Sequence, residues 1–135
     1  MRVVKAAGVQ LSPVLYSREG TVEKVVRRIH KLGQQGVQFA TFPETVVPYY
    51  PYFSIVQSGY QMLRGGEFLK LLNHSVTVPS PATNAISEAC KQAGVVVSIG
   101  INERDGGKTL NTECLERLSL GIHSHRHTRL HTCLV

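Results

Sequence analysis

A chain of 135 residues that is 42% hydrophobic and 18% charged has the composition of one folded globular domain, able to bury about two thirds of its unfolded surface, and not that of a disordered polymer. The net charge of +6 does not describe a basic domain: Arg117, Arg126 and Arg129 follow the last acid, Glu116, and leave 12 basic against 9 acidic side chains before them, so no nucleic-acid partner is expected. No apolar run approaches the roughly 20 residues of a membrane helix, Met1 to Val9 lacks the apolar core of a signal peptide, and Cys90, Cys114 and Cys133 form no disulfide framework, which together point to the cytoplasm.

Val3 to Leu11, small and apolar, reads as a first buried strand ending at Ser12-Pro13. Gly20-Thr21 opens a helix whose Val22, Val25, Val26, Ile29 and Leu32 recur at helical spacing, with Gly33 and Gly36 as its C-cap and turn. Val37 to Phe42 is a second buried strand. A strand, a helix and a strand joined by short connections form a βαβ unit, hence parallel pairing and an α/β fold. Residues 46 to 66 read as a long loop with Tyr49, Tyr50, Tyr52, Phe53 and Tyr60, and Glu67 to His74 as a short helix. After the short apolar run Val76 to Val78, Thr83 or Asn84 caps a second amphipathic helix with Ala85, Ile86, Ala89 and Cys90 facing inward, closed by Gly94. Val95 to Ile101 is a third buried strand, followed by a turn over Asn102 to Gly107, and Asn111 to Leu115 starts another strand. From Glu116 onward no period of two or 3.6 is present, and no element is assigned.

Glu44 is the candidate for chemistry. It stands where a hydrophobic strand ends, since Pro43 has no N–H for a ladder, and where a proline- and tyrosine-rich loop begins. A carboxylate at such a rim is either held by hydrogen bonds or desolvated, and a desolvated one suits proton transfer near neutral pH. Cys90 falls on the apolar face of its helix and reads as a core residue; His30 and His74 read as helix-surface residues.

Phe42-Pro43-Glu44-Thr45, followed by Val47-Pro48-Tyr49-Tyr50-Pro51-Tyr52, resembles the nitrilase branch of the carbon–nitrogen hydrolase superfamily. Three other segments agree in order and spacing: Ala7-Gly8-Val9-Gln10-Leu11-Ser12-Pro13-Val14, Ala82 to Gly94, and Gly100 to Arg104 followed by Leu110-Asn111-Thr112. The resemblance spans residues 3 to 114. It implies part of a four-layer α-β-β-α sandwich and cofactor-free hydrolysis of a nitrile to a carboxylic acid and ammonia by a glutamate, a lysine and a nucleophilic cysteine. By resemblance Glu44 is the general base, Tyr50 lines the substrate pocket, and Tyr49 and Phe53 are further candidates for the same wall. The family forms homo-oligomers.

The family's lysine and cysteine lie in Arg-Arg-Lys and Cys-Trp-Glu motifs that have no match here, and the chain has no tryptophan. Cys114-Leu115-Glu116 mimics the second motif but directly follows Asn111-Thr112, in the wrong segment, and Lys108 sits on a glycine-rich turn. The resemblance therefore implies that residues 1–115 are the N-terminal part of a nitrilase domain, that residues 116–135 form an atypical tail, as a reading frame shifted near Gly107 to Leu115 would produce, and that the chain alone is inactive. The alternative is a non-catalytic fragment whose His123, His125 and His127, with His131 or Cys133, bind Zn²⁺.

Overall fold

The computed structural model describes residues 3–116 and 126–130. One sheet has the strand order β1 (Ala6–Gly8), β2 (Phe39–Thr41), β3 (Val96–Asp105), β4 (Lys108–Glu116) and β5 (Arg126–Leu130). The first three strands run parallel; β3, β4 and β5 are antiparallel neighbours. Among the described residues five helices connect them: α1 (Arg18–Gln34), α2 (Phe53–Val56), α3 (Gly59–Gly65), α4 (Glu67–His74) and α5 (Pro81–Ala93). This is an α/β fold, and β1-α1-β2 is the expected βαβ unit.

Helices α1 and α5 cover one face of the sheet. Val22, Val25, Ile29 and Leu32 of α1 and Ile86, Ala89 and Cys90 of α5 pack with Ala40, Val97, Ile99 and Ile101 of the strands, so Cys90 is a core residue. The register puts Ala6, Phe39 and Val96 in one row and Gly8, Thr41 and Ser98 in the next on the opposite face. There Ala6, Gly8 and Thr41 are exposed, Phe39 and Val96 half-buried and Ser98 buried. The open part of this face, at β1 and β2, revises two expectations. The first strand is only three residues long and half-exposed, with Val3 80% and Val4 55% exposed, because it is the edge strand and nothing among the described residues covers its second side. The second strand is likewise shorter, Phe39–Thr41, with Ala40 alone fully buried.

Helix ends also differ from expectation. Helix α1 starts earlier, capped by Ser17, whose Oγ accepts from the Gly20 N–H at 3.0 Å. Gly33 does not end it: a Cβ there would lie 2.5 Å from the Ala93 carbonyl oxygen and 2.9 Å from the Ala93 Cβ, so this glycine sets how closely α1 approaches α5. Gly33→Ala should lower the unfolding free energy by about 1–2 kcal/mol, seen as a lower urea midpoint, the overpacking outweighing the roughly 1 kcal/mol by which alanine is the better helix former. An unchanged midpoint would show that the two helices separate freely.

Helix α5 starts at Pro81, capped by Ser80 rather than Thr83 or Asn84; Thr83 instead closes a reciprocal pair, its Oγ1 accepting from the Ser80 N–H at 2.9 Å. The earlier start leaves Ala85 exposed and buries Thr83. Gly94 ends the helix in the left-handed region, as expected. The long loop over residues 46–66 contains α2 and α3. Ser58 and Gln61 form a capping box at the start of α3, a Ser-x-x-Gln signature visible in the sequence and missed. The expected turn over Asn102 to Arg104 is strand, because those residues pair with β4 on one side and with Val76 on the other; the turn is confined to Gly106-Gly107. In the tail, to which no element was assigned, the backbone of Arg126–Leu130 pairs with β4.

Candidate functional site

The backbone after β2 leaves the sheet and returns to it. The Phe42 N–H donates to the Ser98 carbonyl at 2.8 Å, and pairing resumes at Val47, which bridges Ile101 and accepts from the Asn102 N–H at 2.8 Å. Between these points residues 43–46 arch across β3 at Gly100. A Cβ on residue 100 would stand 2.7 Å from the Glu44 Cα and 2.9 Å from the Glu44 carbonyl carbon, and against the Thr45 nitrogen. Only glycine lets the arch close so tightly. Thr45 has φ 43, a strained left-handed conformation for a β-branched residue, and its buried Oγ1 has no hydrogen-bond partner among the described residues.

Glu44 is exposed at the crest of this arch. Of the two environments expected for it, the structure supplies the hydrogen-bonded one: the Asn111 Nδ2 donates to Glu44 Oε1. Asn111 lies on β4 directly opposite Asn102 on β3. Asn102 is buried, and its Nδ2 donates to the Tyr49 carbonyl at 2.8 Å. Alternation along β3 and β4 places both asparagines on the face away from α1 and α5. Cys114 falls on the other face, opposite Ile99 and packed on the core. The two asparagines were not singled out as site residues; their roles follow from the cross-strand register, which has no local signature.

The two tyrosines after Pro48 occupy different surroundings. Tyr50 is half-buried, its ring 5.0 Å from that of exposed Tyr52, and Phe53 is half-buried at the start of α2. Tyr49 is 2% exposed and meets Tyr16 edge to face at 5.6 Å. The Tyr16 hydroxyl donates to Glu67 at 3.0 Å and Lys70 pairs with the same carboxylate at 2.8 Å, tying α4 to this cluster. The Lys70 hydrogen bond, and after it that of Tyr16, hold the Glu67 carboxyl below the usual range.

Burial pushes the Tyr49 phenol up to about 12, and its hydroxyl has no partner among the described residues. A phenol raised in the folded state contributes stability that is complete below its unfolded value near 10 and is lost as pH rises through the folded value. Tyr49→Phe should leave the melting temperature at neutral pH equal or higher, because an unsatisfied hydroxyl is removed, and should flatten the decline between about pH 10 and 12. Melting curves across that range check this; an identical alkaline decline in both proteins would refute it.

Among the described residues no group of three His, Cys, Asp or Glu side chains is placed to hold a metal ion. Of the tail's candidate ligands, His127 lies on β5, and His123, His125, His131 and Cys133 lie outside the described residues. No helix among the described residues is long and apolar enough to cross a membrane.

Comparison with known proteins shows the family. The carbon-nitrogen hydrolase family model matches residues 5–133. A protein named Nitrilase 3, from an unknown prokaryotic organism, is 72% identical over 115 residues, which is 85% of this chain and 35% of that protein. A nitrilase from Paraburkholderia phymatum is 42% identical over 83% of this chain and 32% of its own length, and an aliphatic nitrilase from Rhodococcus rhodochrous is 34% identical over 81% and 30%. The chain thus spans about a third of the length of these curated relatives. In fold it is similar to a glutamine-dependent NAD(+) synthetase from Cytophaga hutchinsonii, with TM-score 0.52 and 17% identity over 83% of this chain and 17% of that one. An α/β chain matched by the family model along nearly all its length, and similar to nitrilases at 72% and 42% identity, belongs to the carbon-nitrogen hydrolase family.

Proposed function

We propose that this chain supplies the general-base portion of a nitrilase, an enzyme that converts a small nitrile to a carboxylic acid and ammonia. The observation that carries the reading is Glu44 on its glycine-permitted arch, one carboxylate oxygen engaged by Asn111, in a chain similar to nitrilases over more than four fifths of its length. Glu44 accepts the proton of a cysteine thiol as the sulfur attacks the nitrile carbon, and later activates water against the resulting covalent intermediate. Tyr50 contributes to the wall around the substituent of the nitrile, and Tyr49 supports that wall from behind. No cofactor enters this chemistry.

Residues 1–115 form the hydrolase portion in this reading, within one layer pair of a four-layer sandwich, and residues 116–135 an atypical tail. The bare sheet face beside Phe39 and Val96 supports the sandwich, since a second sheet would cover it. The reaction takes place in the cytoplasm and involves no nucleic acid. Without the family's lysine and cysteine motifs these 135 residues perform no covalent step, so the purified chain should release no ammonia from a nitrile. Co-expressing it with the downstream two thirds of the 72%-identical relative should restore release. Turnover by the isolated chain, or none by a stable complex of the two parts, would overturn the proposal.

A further inference from the structure

The hairpin of β3 and β4 does more than extend the sheet. Its one cross-strand pair of asparagines, Asn102 opposite Asn111, reaches two points of the segment that carries the base. The Asn111 carboxamide donates to Glu44 Oε1, and the Asn102 carboxamide donates at 2.8 Å to the carbonyl of Tyr49, the residue before Tyr50. Between those points the arch is strained at Thr45, passes closely over Gly100 and rejoins β3 at Val47. A strained arch ending in an exposed carboxylate keeps one geometry only if other groups hold it. A carboxylate also gains more from an amide donor than a neutral acceptor does.

We propose that Asn111 is a positioning residue for Glu44, engaging Oε1 so that Oε2 remains the proton acceptor, and that Asn102 is a positioning residue for the loop bearing Tyr50. The assignment rests on the reading of Glu44 as the base, but the contacts can be tested without any nitrile.

The test is NMR on the isotope-labelled 135-residue chain. In Glu44→Gln the charge-assisted bond is lost, and the Asn111 side-chain amide resonances should move while the backbone amides of β3 and β4 stay in place. In Asn111→Leu the Glu44 methylene couplings should change from those of a single rotamer to averaged values. In Asn102→Leu the backbone amides of Val47, Tyr49, Tyr50 and Tyr52 should exchange about tenfold faster, the scale expected for one lost buried hydrogen bond. Asn111 resonances unmoved by Glu44→Gln, or a single Glu44 rotamer kept in Asn111→Leu, would overturn the role of Asn111; unchanged exchange in Asn102→Leu would overturn that of Asn102. Should Asn111→Leu lose the hairpin resonances, Glu44→Gln decides alone, since Glu44 is exposed and its replacement leaves the core intact. Moved resonances together with a complemented enzyme that releases no ammonia would remove the nitrilase reading and leave the positioning contacts standing.

Discussion

Glu44→Gln, introduced into the chain complemented by the downstream part of its relative, should lower nitrile turnover by about 10²–10⁴-fold, the usual contribution of a positioned proton acceptor. Gln keeps the size and hydrogen-bonding reach of the side chain but cannot take a proton. Binding should change far less than turnover, so kcat should carry the loss. The fold should be indifferent: Glu44 is exposed, and substitutions at such positions alter stability by no more than about 0.5 kcal/mol. Ammonia release with the Gln variant at parental rates would remove Glu44 from the chemistry.

Gly100→Ala should damage stability and site together. The new methyl carbon would meet backbone, not a flexible side chain, at 2.7 and 2.9 Å from two Glu44 atoms and closer still to Thr45. The arch must lift, weakening the flanking bonds from Val47 to Gly100 and from Asn102 to Val47. A loss of about 1–3 kcal/mol follows from overpacking of this kind. A displacement on the order of 1 Å at the carboxylate should cost the complemented enzyme about 10²-fold in turnover. Gly107→Ala is the control, since a Cβ there meets nothing within 4 Å and should leave both quantities unchanged. Equal behaviour of the two variants in urea melts and ammonia assays would show that the arch tolerates a Cβ.

Much of the fold was legible because it is written in local periodicity. The apolar stripe of α1 and the helix over Glu67–His74 stand where spacing put them, and the glycine after α5 ends that helix. The misreadings have particular causes. Ser17 and Ser80 begin their helices because their hydroxyls find N–H groups three residues on, a signal present in the sequence but passed over for later residues. Asn102, Glu103 and Arg104 have turn chemistry, yet Glu103 is buried and accepts from the Thr112 hydroxyl at 2.8 Å; pairing on both edges of β3 outweighs local preference.

By itself the sequence determined that a carboxylate would emerge at the end of a parallel strand, since Pro43 stops the ladder and the apolar run before it has the composition of a strand. It also determined the family, through motifs held in order along the chain. Only the tertiary structure decided what surrounds that carboxylate. Gly100 and Asn111 lie far from Glu44 along the chain, and they reach it through strand register, which couples distant segments by backbone hydrogen bonds and leaves no periodic trace in the residues it brings together.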